Sequence, residues 1–233
     1  MIPEYTPIIL NVNGIIIIKQ VGELLNGKYS SKVEERNNKT VEYYDLELFN
    51  IKLWSDYDFT RLIGIKKVFF GNHKSNHNNQ IIPKFYRIFT DNGLVDVCEN
   101  QILLQEKVDD DHRTYIQETS VKEVKVGDTL VHCIAKNQTI NAKEPENSFL
   151  MKNPTQITAA KALNFFQNNR LLSFNFYIDI NENNNYIFKV PENNLPRTNK
   201  IIKIIEINYE QSFAYEVITE NTHFAAGIGN IIL

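Results

Sequence analysis

The sequence predicts a mostly β domain, a barrel or folded horseshoe of β-structure, that carries a small α/β insertion. Asn13-Gly14 and Asn92-Gly93 each stand between β-branched or aromatic runs, the strongest short-range hairpin cue, because a primed turn needs positive φ at both central positions. Strand signals with turn residues between them dominate up to about residue 134, and many short strands argue for a closed or folded sheet. Beyond that point the texture changes to a helical period followed by a strand pair.

Taken in order, Thr6 to Leu25 reads as strand, Asn-Gly turn and strand. Tyr43 to Leu53 alternates as a further strand. Val124 to Val131 repeats the hairpin pattern with Gly127-Asp128 at its centre. In the insertion, Thr155 is a helix cap, with Ile157, Ala160, Leu163 and either Phe165 or Phe166 at helical spacing behind it. That spacing predicts one helix of about fourteen residues. Leu171 to Ile180 and Tyr186 to Val190 then pair across the turn Asn181 to Asn185, and this turn, like Asn72 to Asn79, is an Asn-rich solvated loop.

A chain of 233 residues suffices for one sizeable core or one domain with an insertion. Its hydrophobic fraction of 42% and net charge of -3 describe an ordinary globular protein. The apolar run near the start is broken by Asn11, Asn13 and Gly14, too short for a membrane span and without the marks of a signal peptide. The expectation is an intracellular, unsecreted, monomeric protein with no membrane partner. Two cysteines, Cys98 and Cys133, cannot form a disulfide framework.

Several constellations offer little chemistry. His73 and His77 have a metal spacing only on a helix, and they sit in an Asn-rich loop with no adjacent Cys or carboxylate. Asp109, Asp110 and Asp111 before His112 read as a charged, solvated hairpin tip. Lys66, Lys67, Lys200 and Lys203 are dispersed, which does not support a nucleic-acid partner. Gly227-Ile228-Gly229 lies between strands rather than before a helix, so it is no phosphate cradle. Neither a metal nor another cofactor is expected.

The last residues, YEVITENTHFAAGIGNIIL from Tyr215 to Leu233, resemble the C-terminal end of an intein, and TPIILNVNGIIIIKQVGELL resembles an intein opening. IKLWSDYDFTRLIGIKKV, FYRIFTDNGLVDVCENQILL and VKEVKVGDTLVH are similar to the strands between, and their wording is closest to inteins of family B DNA polymerases of large DNA viruses. The resemblance is collinear and covers most of the chain outside roughly residues 136 to 195. It implies a Hint-type β fold split into residues 1–135 and 196–233, with 136–195 similar to the remnant of a homing endonuclease whose catalytic motif is missing. It also implies autocatalytic protein splicing without cofactor, with flanking host segments as partners and the two ends of the chain close together.

Carried over by position, Met1 stands where the family has its first nucleophile, because Thr6-Pro7 lies at the usual distance from residue 1. A thioether cannot perform the acyl shift that a thiol or hydroxyl performs. Cys98 and Gln101 align with a Thr-x-x-His pair that holds and protonates the scissile amide. Gln can hydrogen-bond but cannot shuttle a proton near neutrality. Read from the residues alone, Cys98 is a buried small apolar side chain within a strand. His223 matches the histidine that assists Asn cyclisation, and Glu216 matches a position usually held by Asp. His-Asn would follow Leu233 in the family. The chain as written is therefore expected to be unable to splice. Two other classes stay open, an inert binding or scaffolding descendant of the fold and a DNA-binding remnant of an endonuclease.

Overall fold

The computed structural model describes residues 1–25, 31–36, 39–55, 59–70, 83–91, 93–131, 148–151, 177–180, 186–189, 199–227, 229 and 231–233. Eighteen strands are described. They are β1 (Pro7–Val12), β2 (Ile15–Gln20), β3 (Ser31–Arg36), β4 (Lys39–Asp45), β5 (Ile51–Trp54), β6 (Phe59–Phe69), β7 (Phe85–Thr90), β8 (Leu94–Cys98) and β9 (Ile102–Val108). They continue with β10 (Thr114–Ser120), β11 (Thr129–Leu130), β12 (Ser148–Met151), β13 (Tyr177–Ile180), β14 (Tyr186–Lys189), β15 (Ile201–Ile207), β16 (Phe213–Thr219), β17 (Ala225–Ala226) and β18 (Ile231–Ile232). Short 3-10 turns at Val21–Leu25 and Glu47–Phe49 complete the described elements.

The first hairpin forms as its residues dictate. Val12 pairs with Ile15, and Asn13 and Gly14 take φ of 52° and 86°, the pair of positive angles a type I′ turn requires. The second hairpin joins β7 to β8 but closes Thr90 N–H on the Gly93 carbonyl at 2.8 Å, one residue earlier than an Asn92-Gly93 turn would. Two expectations are corrected. Tyr43 to Leu53 is two strands, because the chain breaks into the 3-10 turn around buried Leu46 and leaves it through Asn50 at φ 50°. Val124 to Val131 is no local hairpin: Gly127 N–H bonds the Ile201 carbonyl, Leu130 N–H bonds the Asn199 carbonyl, and β11 pairs with β9. Contacts with residues distant in sequence override the Gly-Asp turn signal there.

The strands of the two chain ends interleave. The nine-stranded sheet runs β18-β17-β1-β5-β6-β4-β3, with β2 on β1 and β16 on β6. A second sheet, β15-β7-β8, likewise joins late and early segments, and β9 lies between β10 and β11 in a third. Long β6 turns the corner of the large sheet, pairing its first residues with β5 and the rest with β4 and β16. Gly64 sits at that change of partner, where a Cβ would meet the Tyr43 ring and the Tyr44 carbonyl, each at 2.8 Å, so only glycine allows the approach. Leu10, Leu53, Leu62, Ile88, Val97 and Leu103 fill one core beneath these sheets together with Ile2 and Leu233 from the two ends. Each such side chain contributes about 1.5–3 kcal/mol by leaving water.

Between residues 136 and 195, β13 and β14 form the expected strand pair, and β12 adds a third strand to a sheet of their own. The expected helix from Thr155 and the strand residues 171–176 lie outside the described residues. Cys133, His73 and His77 do so as well.

Candidate functional site

Strand β8 ends in a tight turn that Gln101 N–H closes on the Cys98 carbonyl at 2.9 Å. The turn presents two groups to the first residue of the chain. Cys98 N–H donates to the Met1 carbonyl at 2.9 Å, and the Met1 nitrogen donates to Gln101 Oε1 at 2.5 Å. Gln101 Nε2 donates in turn to the Ile102 carbonyl at 2.9 Å. This fixes which way the amide faces, since the Ile102 carbonyl can only accept and so takes the Nε2 side. The nitrogen of residue 1 is thus held by a side-chain amide oxygen. As an amine its pKa is lowered by burial, against the opposing pull of Cys98 and Glu216.

Cys98 itself is a buried thiol packed among Tyr5, Val68, Phe70, Phe85, Tyr209 and Ala214, with Met1 against the same cluster. Next to Met1, Ile2 exchanges both backbone hydrogen bonds with Tyr215, at 2.8 and 2.9 Å. Glu216 follows Tyr215 on β16. It is half-exposed and lies 3.8 Å from Lys66 Nζ, its cross-strand partner. Met1, Cys98 and Gln101 therefore meet directly, while the Glu216 charge acts on the Met1 nitrogen.

Beneath this group lies a cluster that sequence reading missed. Arg87 Nε and Nη2 donate to the two oxygens of Asp96, both at 2.6 Å, and the Tyr5 hydroxyl donates to the same carboxylate at 2.6 Å. Arg87 and Asp96 are buried. Burial works to lower the Arg87 pKa, and the hydrogen bonds and charge of Asp96 more than offset it. Burial, with the Asp96 charge behind it, pushes the Tyr5 phenol well above its ordinary value. The signal was present in the sequence, since one basic and one acidic residue interrupt the apolar runs of β7 and β8 at symmetric distances from the turn.

His223 stands in a different setting, a turn after β16. Thr219 and Ser55 hydroxyls donate to its carbonyl at 3.0 and 3.1 Å, and its own N–H donates to Asn221 Oδ1 at 3.2 Å. Asn221 Nδ2 donates to Ser55 Oγ at 2.8 Å. Thr222 adopts φ 66°, an outlier for a β-branched residue that costs about 1–3 kcal/mol. After His223 the chain runs into β17. Phe224 and Leu233 exchange backbone bonds at 3.2 and 3.0 Å, continuing the Ala225–Ile232 and Ala226–Ile231 register. The next pair in that register sets His223 against the position after Leu233.

Both ends of the chain come to one stretch. Val131 N–H bonds the Leu104 carbonyl, Ile232 N–H bonds the Val131 carbonyl, and Leu104, Ala225 and Ile232 share a buried cluster. Leu104 is three residues beyond Gln101, about 10 Å along a strand. Gly227, at φ 74°, lets the last segment cross β8, since a Cβ there would come within 2.5 Å of the Leu94 carbonyl.

Among the described residues, no group of three or more His, Cys, Asp or Glu side chains could hold a metal ion, and no helix is long and apolar enough to cross a membrane. The Asp109–Arg113 tip uses its carboxylate internally, Asp109 Oδ1 accepting from Asp111 and Arg113 N–H at 3.0 and 2.7 Å.

No protein-family model matches the sequence, and no curated protein matches it. Solved structures do match. The Pab PolII intein superposes with a TM-score of 0.57 at 15% identity, over 100% of this chain and 98% of that one. The transcription factor IIB Mvu mini-intein gives 0.55 at 15% identity, over 100% and 99%. An intein from a hyperthermophile gives 0.50 at 12% identity, over 99% and 96%. The fold is that of the inteins. That fold brings Met1 to the Cys98–Gln101 turn and the last strand beside His223, although these residues are far apart in sequence.

Proposed function

We propose that the chain is a protein-splicing element that acts on peptide bonds at its own two ends, with flanking host segments as its partners. What supports the reading is the convergence of both chain ends on one stretch, Cys98 to Leu104, with Gln101 at the residue 1 nitrogen and His223 in register with the position after Leu233. A reaction that joins groups from opposite ends of a chain requires such proximity. In this reading Gln101 and the Cys98 N–H orient the first peptide unit, Glu216 supplies a carboxylate nearby, and His223 serves as base or acid at the downstream bond. Gln101 can hold the nitrogen without delivering a proton to it, so N-terminal scission is slow and C-terminal cleavage is the step the site favours. Met1 in the nucleophile's position works in the same direction.

The sequence wording makes a family B DNA polymerase of a large DNA virus the host we favour, and hence an intracellular setting. Residues 136–195 are proposed as an insertion resembling an endonuclease remnant, supported by the separate sheet of β12, β14 and β13. Deleting them should leave cooperative unfolding by circular dichroism.

The deciding experiment places the chain between two reporter segments with His-Asn-Cys after Leu233, carrying Met1→Cys and Gln101→His. Mass spectrometry should show at least C-terminal cleavage, and His223→Ala should slow it while leaving thiol-induced N-terminal cleavage intact. A repaired protein that cleaves at neither end overturns the proposal in favour of an inert scaffold.

A further inference from the structure

We propose that Thr222 is a positioning residue that fixes the tautomer of His223, keeping the ring proton on Nδ1 and the lone pair on Nε2. A neutral imidazole is a donor at one nitrogen and an acceptor at the other, and whatever the first nitrogen bonds decides which is which. Thr222 Oγ1 lies 3.2 Å from His223 Nδ1. The same hydroxyl is 2.6 Å from the Asn221 carbonyl, which can only accept. A hydroxyl has one proton, and the short bond to the carbonyl uses it. Thr222 Oγ1 therefore faces Nδ1 with a lone pair, and the bond forms when Nδ1 is the protonated nitrogen.

A second observation points the same way. Left-handed φ is the region of glycine and asparagine, and a β-branched residue is the poorest choice there. Thr222 holds φ 66° nonetheless. Asparagine directly before it, at Asn221, is used for a different task, capturing the His223 N–H and the Ser55 hydroxyl oxygen. Backbone geometry alone gives no reason for threonine at this position; the hydroxyl gives one. The ring is then held from both sides, its backbone by Ser55, Thr219 and Asn221 and its Nδ1 by Thr222. Nε2 is the nitrogen left to accept a proton. Under the splicing reading, on which only the functional half of this inference rests, Nε2 is the atom that takes or returns a proton at the downstream bond.

Two measurements separate the halves. In the full chain with 15N-labelled histidine, long-range 1H–15N spectra recorded about two pH units above 6.5, where ordinary imidazoles are neutral, should show His223 as the Nδ1–H form, with the signal assigned by its loss in His223→Gln. Thr222→Val keeps the branched shape and the backbone strain but removes the oxygen, so it should shift the ring toward Nε2–H without lowering the thermal midpoint. Thr222→Ser should restore Nδ1–H. An Nε2–H ring in the parent chain, or a ratio that Thr222→Val leaves unchanged, overturns the inference whatever the protein does. In the repaired reporter fusion, Thr222→Val should slow C-terminal cleavage several-fold and Thr222→Ser should recover it. If the tautomer moves while cleavage holds its rate, the positioning role is overturned. If the fusion never cleaves, the splicing reading falls and the tautomer result still decides the structural half.

Discussion

At the Met1 end of the candidate site, the contacts are buried and carry charge. Arg87, Asp96 and Tyr5 form a closed hydrogen-bonded triad under the first residues, and Cys98 sits in an aromatic shell. At the His223 end, the contacts are hydroxyls and one amide arranged around an open turn. The first setting holds a nitrogen rigidly next to a glutamine that cannot pass a proton. The second leaves a histidine with a ring nitrogen available for one. Rigidity and proton-transfer capacity have thus been separated between the two ends, and each can be tested without disturbing the other.

The largest effect should come from returning a titratable group to the rigid end. Gln101→His, in a reporter fusion that also carries Met1→Cys, should accelerate thiol-induced N-terminal scission by about a hundredfold to ten-thousandfold, the usual worth of one general acid or base. C-terminal cleavage should change little. Equal gains at both ends would mean the two halves are coupled rather than separate.

Removing the triad's carboxylate comes next. Asp96→Ala removes the carboxylate that balances the buried Arg87 charge, and such a loss destabilises by about 3–5 kcal/mol. Urea unfolding should show it. Replacing both partners, as Arg87→Met with Asp96→Leu, should recover most of the loss, because well-packed apolar residues can stand in for a buried ion pair. If the double variant is as unstable as the single one, Tyr5 rather than the charge pair is what anchors the segment.

These residues also mark how far the sequence could be read. The hairpin at Asn13 was legible because local turn chemistry decides it, and the β7–β8 hairpin was legible in place although its turn closes one residue earlier than Asn92-Gly93. That Met1 and Gln101 would meet was legible only through resemblance, since nothing local to either residue announces the contact. The break of Tyr43 to Leu53 at Asn50, and the capture of Gly127 and Leu130 by residues near 200, were not, because both depend on partners far along the chain. The Arg87–Asp96 pair was half legible: register pairs the two, but burial under the Tyr5 hydroxyl is a tertiary fact. Ser55 gave no signal at all, since its role exists only once β5 ends beside the His223 turn.

A smaller effect is expected from alkaline pH, again confined to the Met1 side. Burial pushes the Tyr215 phenol from its ordinary 10 up to about 12, and raises Tyr5 and Tyr209 as well. The folded chain keeps protons that the unfolded chain releases near pH 10, so this contribution is complete below pH 10 and is lost as pH rises through 12. Tyr215 pairs with Ile2, and Tyr5 stacks edge-on with Tyr209 at 6.4 Å. Denaturant midpoints should fall over that window while phenolate absorbance rises with them. Tyrosines that all titrate near 10, with no loss of stability, would show that the shell around Met1 is open to water.

The smallest effect should appear at the open turn. Ser55→Ala removes one of two hydroxyls on the His223 carbonyl and the acceptor of Asn221 Nδ2. Thr219 still donates to that carbonyl, and Asn221 is exposed enough for water to replace its lost partner. The expected loss is about 1 kcal/mol, within the range of an ordinary hydrogen bond, read as a small fall in the urea midpoint. Its consequence for chemistry should exceed its consequence for stability, because a carbonyl held from one side lets the turn, and with it the His223 ring, swing out of register with the last strand. C-terminal cleavage in the repaired fusion should drop several-fold while N-terminal scission keeps its rate. A loss of both, or a loss of stability as large as that of Asp96→Ala, would show that the turn is part of the rigid framework and that the contrast between the two ends is wrong.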